Sequence, residues 1–214
     1  MDSGSVAGRY VWLLLLGLAV GWFEASVVVY LRALYYPDGF RFPVKLVWDP
    51  VLRVEVLREA ASLLLLAAAA RLAGRTFLER FAAFMVLFGV WDLLYYVFLN
   101  LTLGWPASLT DLDILFLIPV PWVGPVWAPC LVSLALVSVG TYLYWTAEQP
   151  RRYRLTDWAV GVAAALFVIG SFVAQWRAVI EERVPQDFPV AVFAMGWLLA
   201  VGWFLRAERR RLAA

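Results

Sequence analysis

Residues 77–103 read FLERFAAFMVLFGVWDLLYYVFLNLTL, and this stretch decides the fold class. Beyond Glu79 and Arg80 it carries one charge, Asp92. At 1.5 Å per residue it is long enough to cross roughly 30 Å of hydrocarbon as a helix. Thr76-Phe77-Leu78-Glu79 has the spacing of a capping box, in which hydroxyl and carboxylate satisfy each other's backbone N–H, so a helix starts there. Gly104-Trp105-Pro106 stops it.

The rest of the chain has the same character. Hydrophobic residues make up 64% and charged residues 16% of the 214, with a mean hydropathy of +0.79. Soluble domains carry about a quarter charged residues. The sequence therefore predicts an all-α, polytopic integral membrane helix bundle, a single transmembrane domain over 1–214 with room for about five to seven spans. Helices are expected at about 10–36, 50–73, 77–103, 125–145, 157–181 and 188–206, giving six spans. The first is read as retained: Arg9 precedes a leucine-rich core, but no small-x-small cleavage site follows and the apolar run continues past Glu24. Asp49-Pro50 is an N-cap followed by proline at the first helical position. Between the third and fourth helices, the apolar piece after Asp111-Leu112-Asp113 is too short to span. It is expected to be a short interfacial or re-entrant helix, with the two aspartates as caps rather than a metal-binding pair.

Short basic loops set orientation in a membrane. Arg71, Arg75 and Arg80 flank the second connection, Arg151, Arg152 and Arg154 the fourth, and Arg206 to Arg211 the tail. With six spans all three fall on one side. The expectation is a multi-pass protein of the cell membrane with both termini cytoplasmic. The first loop runs against the rule, since Arg32, Arg41, Lys45, Arg53 and Arg58 fall outside, nearly balanced by Asp38, Asp49, Glu55 and Glu59. Most tryptophans sit near helix ends, as an interfacial belt does, and Trp91 departs from it.

Asp92 has an echo. Gly21-Trp22-Phe23-Glu24 aligns without gaps on Gly89-Val90-Trp91-Asp92, and Arg32 aligns on Asn100. Each acid follows a glycine by three residues and an aromatic by one. The two helices run in the same direction, so the repeat suggests a parallel duplication of a two-helix unit; the bland reading of its glycines is close helix packing. Asp92 lies roughly 18 Å along its helix from Arg80, near the midplane, and Glu24 roughly 22 Å from Arg9. Ionisable groups at such depth are costly and mark sites by default.

Asp92, Tyr95, Tyr96 and Asn100 share a helical face by spacing. Glu55, Arg58 and Glu59 enter from the outer end of the second helix, where an interfacial ion-pair turn is the structural alternative. With Glu24 and Arg32 these groups describe a polar cavity opening outward. They are the candidate ligand-binding residues; no catalytic set can be assembled, and no metal site.

Several chemistries lack their residues. There is no histidine, and Cys130 is the one cysteine, so haem and ordinary zinc sites are not expected. Nucleotide-binding glycine loops, His-Glu-x-x-His and serine-elbow motifs are missing. A net charge of +2, spread beside apolar runs, gives no reason to invoke nucleic acid. The expected partners are the lipid bilayer and a small polar ligand or lipid headgroup, with another membrane protein or a second copy of this chain also open. Three function classes remain. Glu24 and Asp92 bind a proton, a hard cation or a small cationic ligand in transport or binding; or the chain is an enzyme acting on a lipid or quinone headgroup; or it is a non-catalytic subunit of a membrane complex.

The topology has a direct test in a background lacking Cys130. Cysteines at Gly39 and Ala107 are expected to react with an impermeant thiol reagent from outside intact cells, and one at Arg152 is not. Labelling at Arg152 overturns the six-span reading.

Overall fold

The structure is a computed structural model that describes residues 5–151 and 154–212. Arg152, counted above in the fourth connection, lies outside the described residues. The elements run α1 (Val6–Tyr35), α2 (Pro50–Ala73), α3 (Phe77–Leu103), β1 (Leu112–Phe116), β2 (Trp122–Pro125), α4 (Trp127–Trp145), α5 (Leu155–Val173), α6 (Trp176–Ile180) and α7 (Val190–Leu212). Among the described residues, five helical segments are long and apolar enough to cross a membrane, as a helical membrane bundle requires. They are α1, α3, α4, the stretch Leu155–Ile180 and α7. The charged first turns of α2 set it apart from these five.

Local signals explain the helix ends. Ser5 caps α1 through Gly8 N–H, and Thr76 and Glu79 close the capping box of α3. The expected limits of α2 and α3 are the observed ones.

One expected element is different. The piece between α3 and α4 is a two-stranded sheet, not a short interfacial or re-entrant helix. Five residues join its strands, too few for a parallel crossover, so the pair is a hairpin. Pro119, Pro121 and Pro125 have no N–H to donate to a helix and push the residues before them into extended backbone. The aspartates do not cap a helix either. Asp111 accepts from the N–H groups of Ala107 and Ser108 at 2.8 and 3.1 Å and folds its own turn. Asp113, two residues on, is buried.

The chain forms two compact units. The first comprises residues 1–41, 48–113 and 125–148 and holds α1 to α4. Here α3 is the central helix, packed against α1, α2 and α4. Its close contacts use the glycines of the repeat. A Cβ on Gly21 would sit 3.0 Å from Leu94 Cβ and 3.2 Å from the Trp91 carbonyl oxygen, so α1 lies on the α3 backbone at this point. A Cβ on Gly89 would sit 2.6 Å from the Ser133 carbonyl oxygen, so α3 does the same to α4. The packing reading of both glycines follows from these distances.

The second unit comprises residues 42–47, 114–124 and 149–214. In it α5 packs against α7, and Trp122, Phe172, Phe188 and Phe193 form an aromatic cluster. The expected fifth helix breaks after Val173, and α6 follows the break. At the basic end of this unit, arginines meet acids: Arg151 and Arg211 pair with Glu208, and Arg210 with Asp157.

The start of α2 supplies a pH-dependent test. Asp49 accepts from Leu52 N–H at 2.8 Å and from the Tyr35 hydroxyl at 2.6 Å. The Tyr35 hydroxyl first, then the Leu52 N–H, hold its carboxyl below the ordinary aspartate value. A group depressed in the folded state stabilises at pH above its unfolded value, and the benefit is lost as pH falls through the folded value. Asp49→Ala is therefore expected to lower the unfolding temperature in detergent at neutral pH. The wild-type and variant curves should converge on acidification. A constant gap across the titration would exclude the charged cap.

Candidate functional site

The first unit holds two ion-pair networks and an acid on α3. One turn beyond Gly21, Glu24 reaches α2, where Arg58 Nη1 donates to its Oε2 at 2.5 Å. Arg58 also donates to both oxygens of Glu55, from Nε at 2.8 Å and Nη2 at 2.6 Å, and to Ser62 Oγ at 3.2 Å. The fork on Glu55 is the bidentate geometry for which guanidinium is suited. One arginine thus serves two carboxylates on two helices. Of the ion-pair turn expected for Glu55, Arg58 and Glu59, the Glu55–Arg58 pair forms, and Arg58 is also the bridge to α1.

A second ion pair sits where α1 ends. Arg32, only 7% exposed, extends Nη2 to Asp113 Oδ1 at 3.5 Å. Its guanidinium lies over Trp105 at 3.7 Å and Phe40 at 4.3 Å from the ring centroids. Such stacking is worth about 2 kcal/mol when desolvated. Tyr95 donates its hydroxyl to the other oxygen of Asp113 at 3.3 Å. Tyr96 is buried with its ring edge-on to that of Tyr95.

Asp92 differs from both pairs. One turn beyond Gly89, it faces α4, and Ser133 Oγ donates to its Oδ2 at 2.8 Å. Among the described residues it has no ion-pair partner. The acids of the two pairs, Asp113 and Glu24, lie within electrostatic range of it. An ionised carboxylate here is stabilised by one neutral hydroxyl and opposed by its neighbours.

The structure thus joins Glu24, Glu55 and Arg58 in one network and Arg32 and Tyr95 in another, with Asp92 within electrostatic reach of both. Glu59 is buried one turn beyond Glu55 on α2. Asn100 does not join them: it is exposed and donates to the Pro106 carbonyl at 2.9 Å, tying down the loop after α3. Two members were not singled out from sequence. Asp113 was assigned to capping, and nothing in the spacing of the sequence linked it to Arg32, 81 residues earlier. Ser133 gave no signal, one hydroxyl among several in an apolar helix.

Among the described residues, no group of three or more acidic, histidine or cysteine side chains is placed to hold a metal ion. The acids are strung along the helices instead of converging on a point. Comparison with protein-family models, curated proteins and solved structures gives no match.

Arg58→Ala leaves a buried carboxylate, Glu55, and a half-buried one, Glu24, without their shared counter-ion. Removing one partner of a buried pair costs about 3–5 kcal/mol. A large fall in the detergent unfolding temperature is expected, largely recovered by adding Glu24→Gln and Glu55→Gln. Failure of the neutral triple variant to recover would show that Arg58 acts through packing alone.

Proposed function

We propose that the four-helix unit binds a proton, or a small monovalent cation in its place, at Asp92, as the central step of binding or transport across the membrane. The observation that supports this reading is the lack of a counter-ion at Asp92, among the described residues, while Glu24, Glu55 and Asp113 each have an arginine. An ionised carboxylate among apolar helices costs several kcal/mol unless a positive charge or several donors compensate it. Ser133 supplies one donor. A proton or a bound cation supplies the remainder.

In this reading Glu24, Arg58 and Glu55 hold fixed charge beside the site, and Arg32, Asp113 and Tyr95 close its other end. A monovalent cation suits the arrangement better than a hard divalent one, which needs several carboxylates at one point. We further propose that α2 is the sixth span, with both termini cytoplasmic in a cell membrane. The outer ends of α1 and α3 then face the same compartment as the start of α2.

Infrared difference spectroscopy of the purified protein in lipid nanodiscs tests the site. On raising pH, or on adding sodium at fixed pH, wild type is expected to lose a protonated-carboxyl C=O band that Asp92→Asn lacks throughout. The variant should unfold at nearly the wild-type temperature, since it gives up one acceptor worth about 1 kcal/mol. A wild-type spectrum without the band, or the same band in Asp92→Asn, overturns the proposal. If Asp92→Asn instead releases a co-purifying membrane protein with the band unchanged, the acids belong to a subunit interface.

A further inference from the structure

The two basic clusters differ in how their charge is answered. In the second unit, Arg151, Arg210 and Arg211 have carboxylate partners within the unit, while Arg206 and Arg209 have no salt bridge among the described residues. In the first unit, Arg9, Arg71, Arg75 and Arg80 gather at the α2–α3 turn, and among the described residues none of them is paired with a carboxylate. The nearby acid is already engaged: Glu79 is buried and accepts from the backbone N–H groups of Arg75 and Thr76 at 2.5 and 3.4 Å.

Two of the guanidinium groups are held in place by backbone carbonyls. Arg80 donates to Gly74 O at 3.1 Å and to Arg75 O at 2.9 Å, and Arg9 approaches Ala73 O at 3.5 Å. Tyr144 donates to the same Ala73 oxygen at 3.1 Å, and its ring and that of Trp145 flank Tyr10. Arg71 and Arg75 are exposed, and among the described residues neither side chain has a hydrogen bond. Beside them stand large apolar side chains turned outward: Leu72 is 86% exposed and Phe77 66%. Positive charge held on a rigid turn, next to apolar side chains that need a hydrocarbon surround, is the recognition chemistry for an anionic headgroup at the bilayer surface.

We propose that the α2–α3 turn is a binding site for the phosphate of an anionic glycerophospholipid, with Arg80 and Arg9 as its fixed walls and Arg71 and Arg75 closing on the headgroup. Bilayer lipid is the occupant because free phosphate would leave Leu72 and Phe77 uncovered. The site is independent of Asp92.

The full chain is reconstituted in nanodiscs containing phosphatidylglycerol and phosphatidylcholine, and the lipids retained on gentle detergent extraction are counted by native mass spectrometry. Wild type is expected to retain phosphatidylglycerol in preference. Arg71→Gln with Arg75→Gln should weaken that preference roughly fivefold per arginine removed. The charge-matched control, Arg206→Gln with Arg209→Gln, should leave it unchanged. Equal retention of the two lipids by wild type overturns the proposal, as does an equal loss in the control pair. Displacement of the lipid by millimolar inorganic phosphate would assign the turn to free phosphate and overturn the lipid site.

Discussion

Hydrocarbon offers no hydrogen bonds and screens no charge, so an ionisable group carried into it must bring its own partner. That constraint organises the first unit. Arg58 is shared between Glu24 and Glu55, which ties the first turns of α2 to the middle of α1. Arg32 is matched to Asp113, which ties the end of α1 to the strand following α3. Helices whose apolar faces differ little from lipid gain specificity from such pairs, because a shift of either partner by one turn would leave charges unmatched. The arginines therefore set the register of α1 against the elements around it.

Backbone contact makes those pairs reachable. Gly21 lets α1 lie against α3, and Gly89 lets α3 lie against α4, with each acid one turn further along on the same side. The two halves of the repeat thus use one device at successive interfaces. They diverge in the partner: α2 offers Glu24 an arginine, whereas α4 offers Asp92 a serine. The same local pattern yields a compensated acid in one place and an uncompensated one in the next.

Much of this is legible in the residues. Asp49-Pro50 and the Thr76–Glu79 box define helix starts through chemistry within one turn of chain, and the observed starts of α2 and α3 follow them. Glu24 and Asp92 stood out because each is an ionisable group deep in an apolar run. What sequence could not convey was which distant side chain answers each acid. Asp113 and Ser133 owe their roles to a strand and a helix that approach α3 only in the folded chain. The hairpin was misread because apolar content matters less there than prolines, whose effect is on backbone donors.

The Arg32 guanidinium sits 4.3 Å from the ring centroid of Phe40 and 3.7 Å from that of Trp105, two rings set edge to face that come from the loops after α1 and α3. A guanidinium lodged in the corner of two perpendicular rings couples those two loops: neither can lift away without stripping an aromatic face from a buried charge. Lysine would preserve the charge and lose the coupling, because a tetrahedral ammonium has no flat face for the rings to grip. At this position shape matters as much as charge, and the loops after α1 and α3 should move together or not at all.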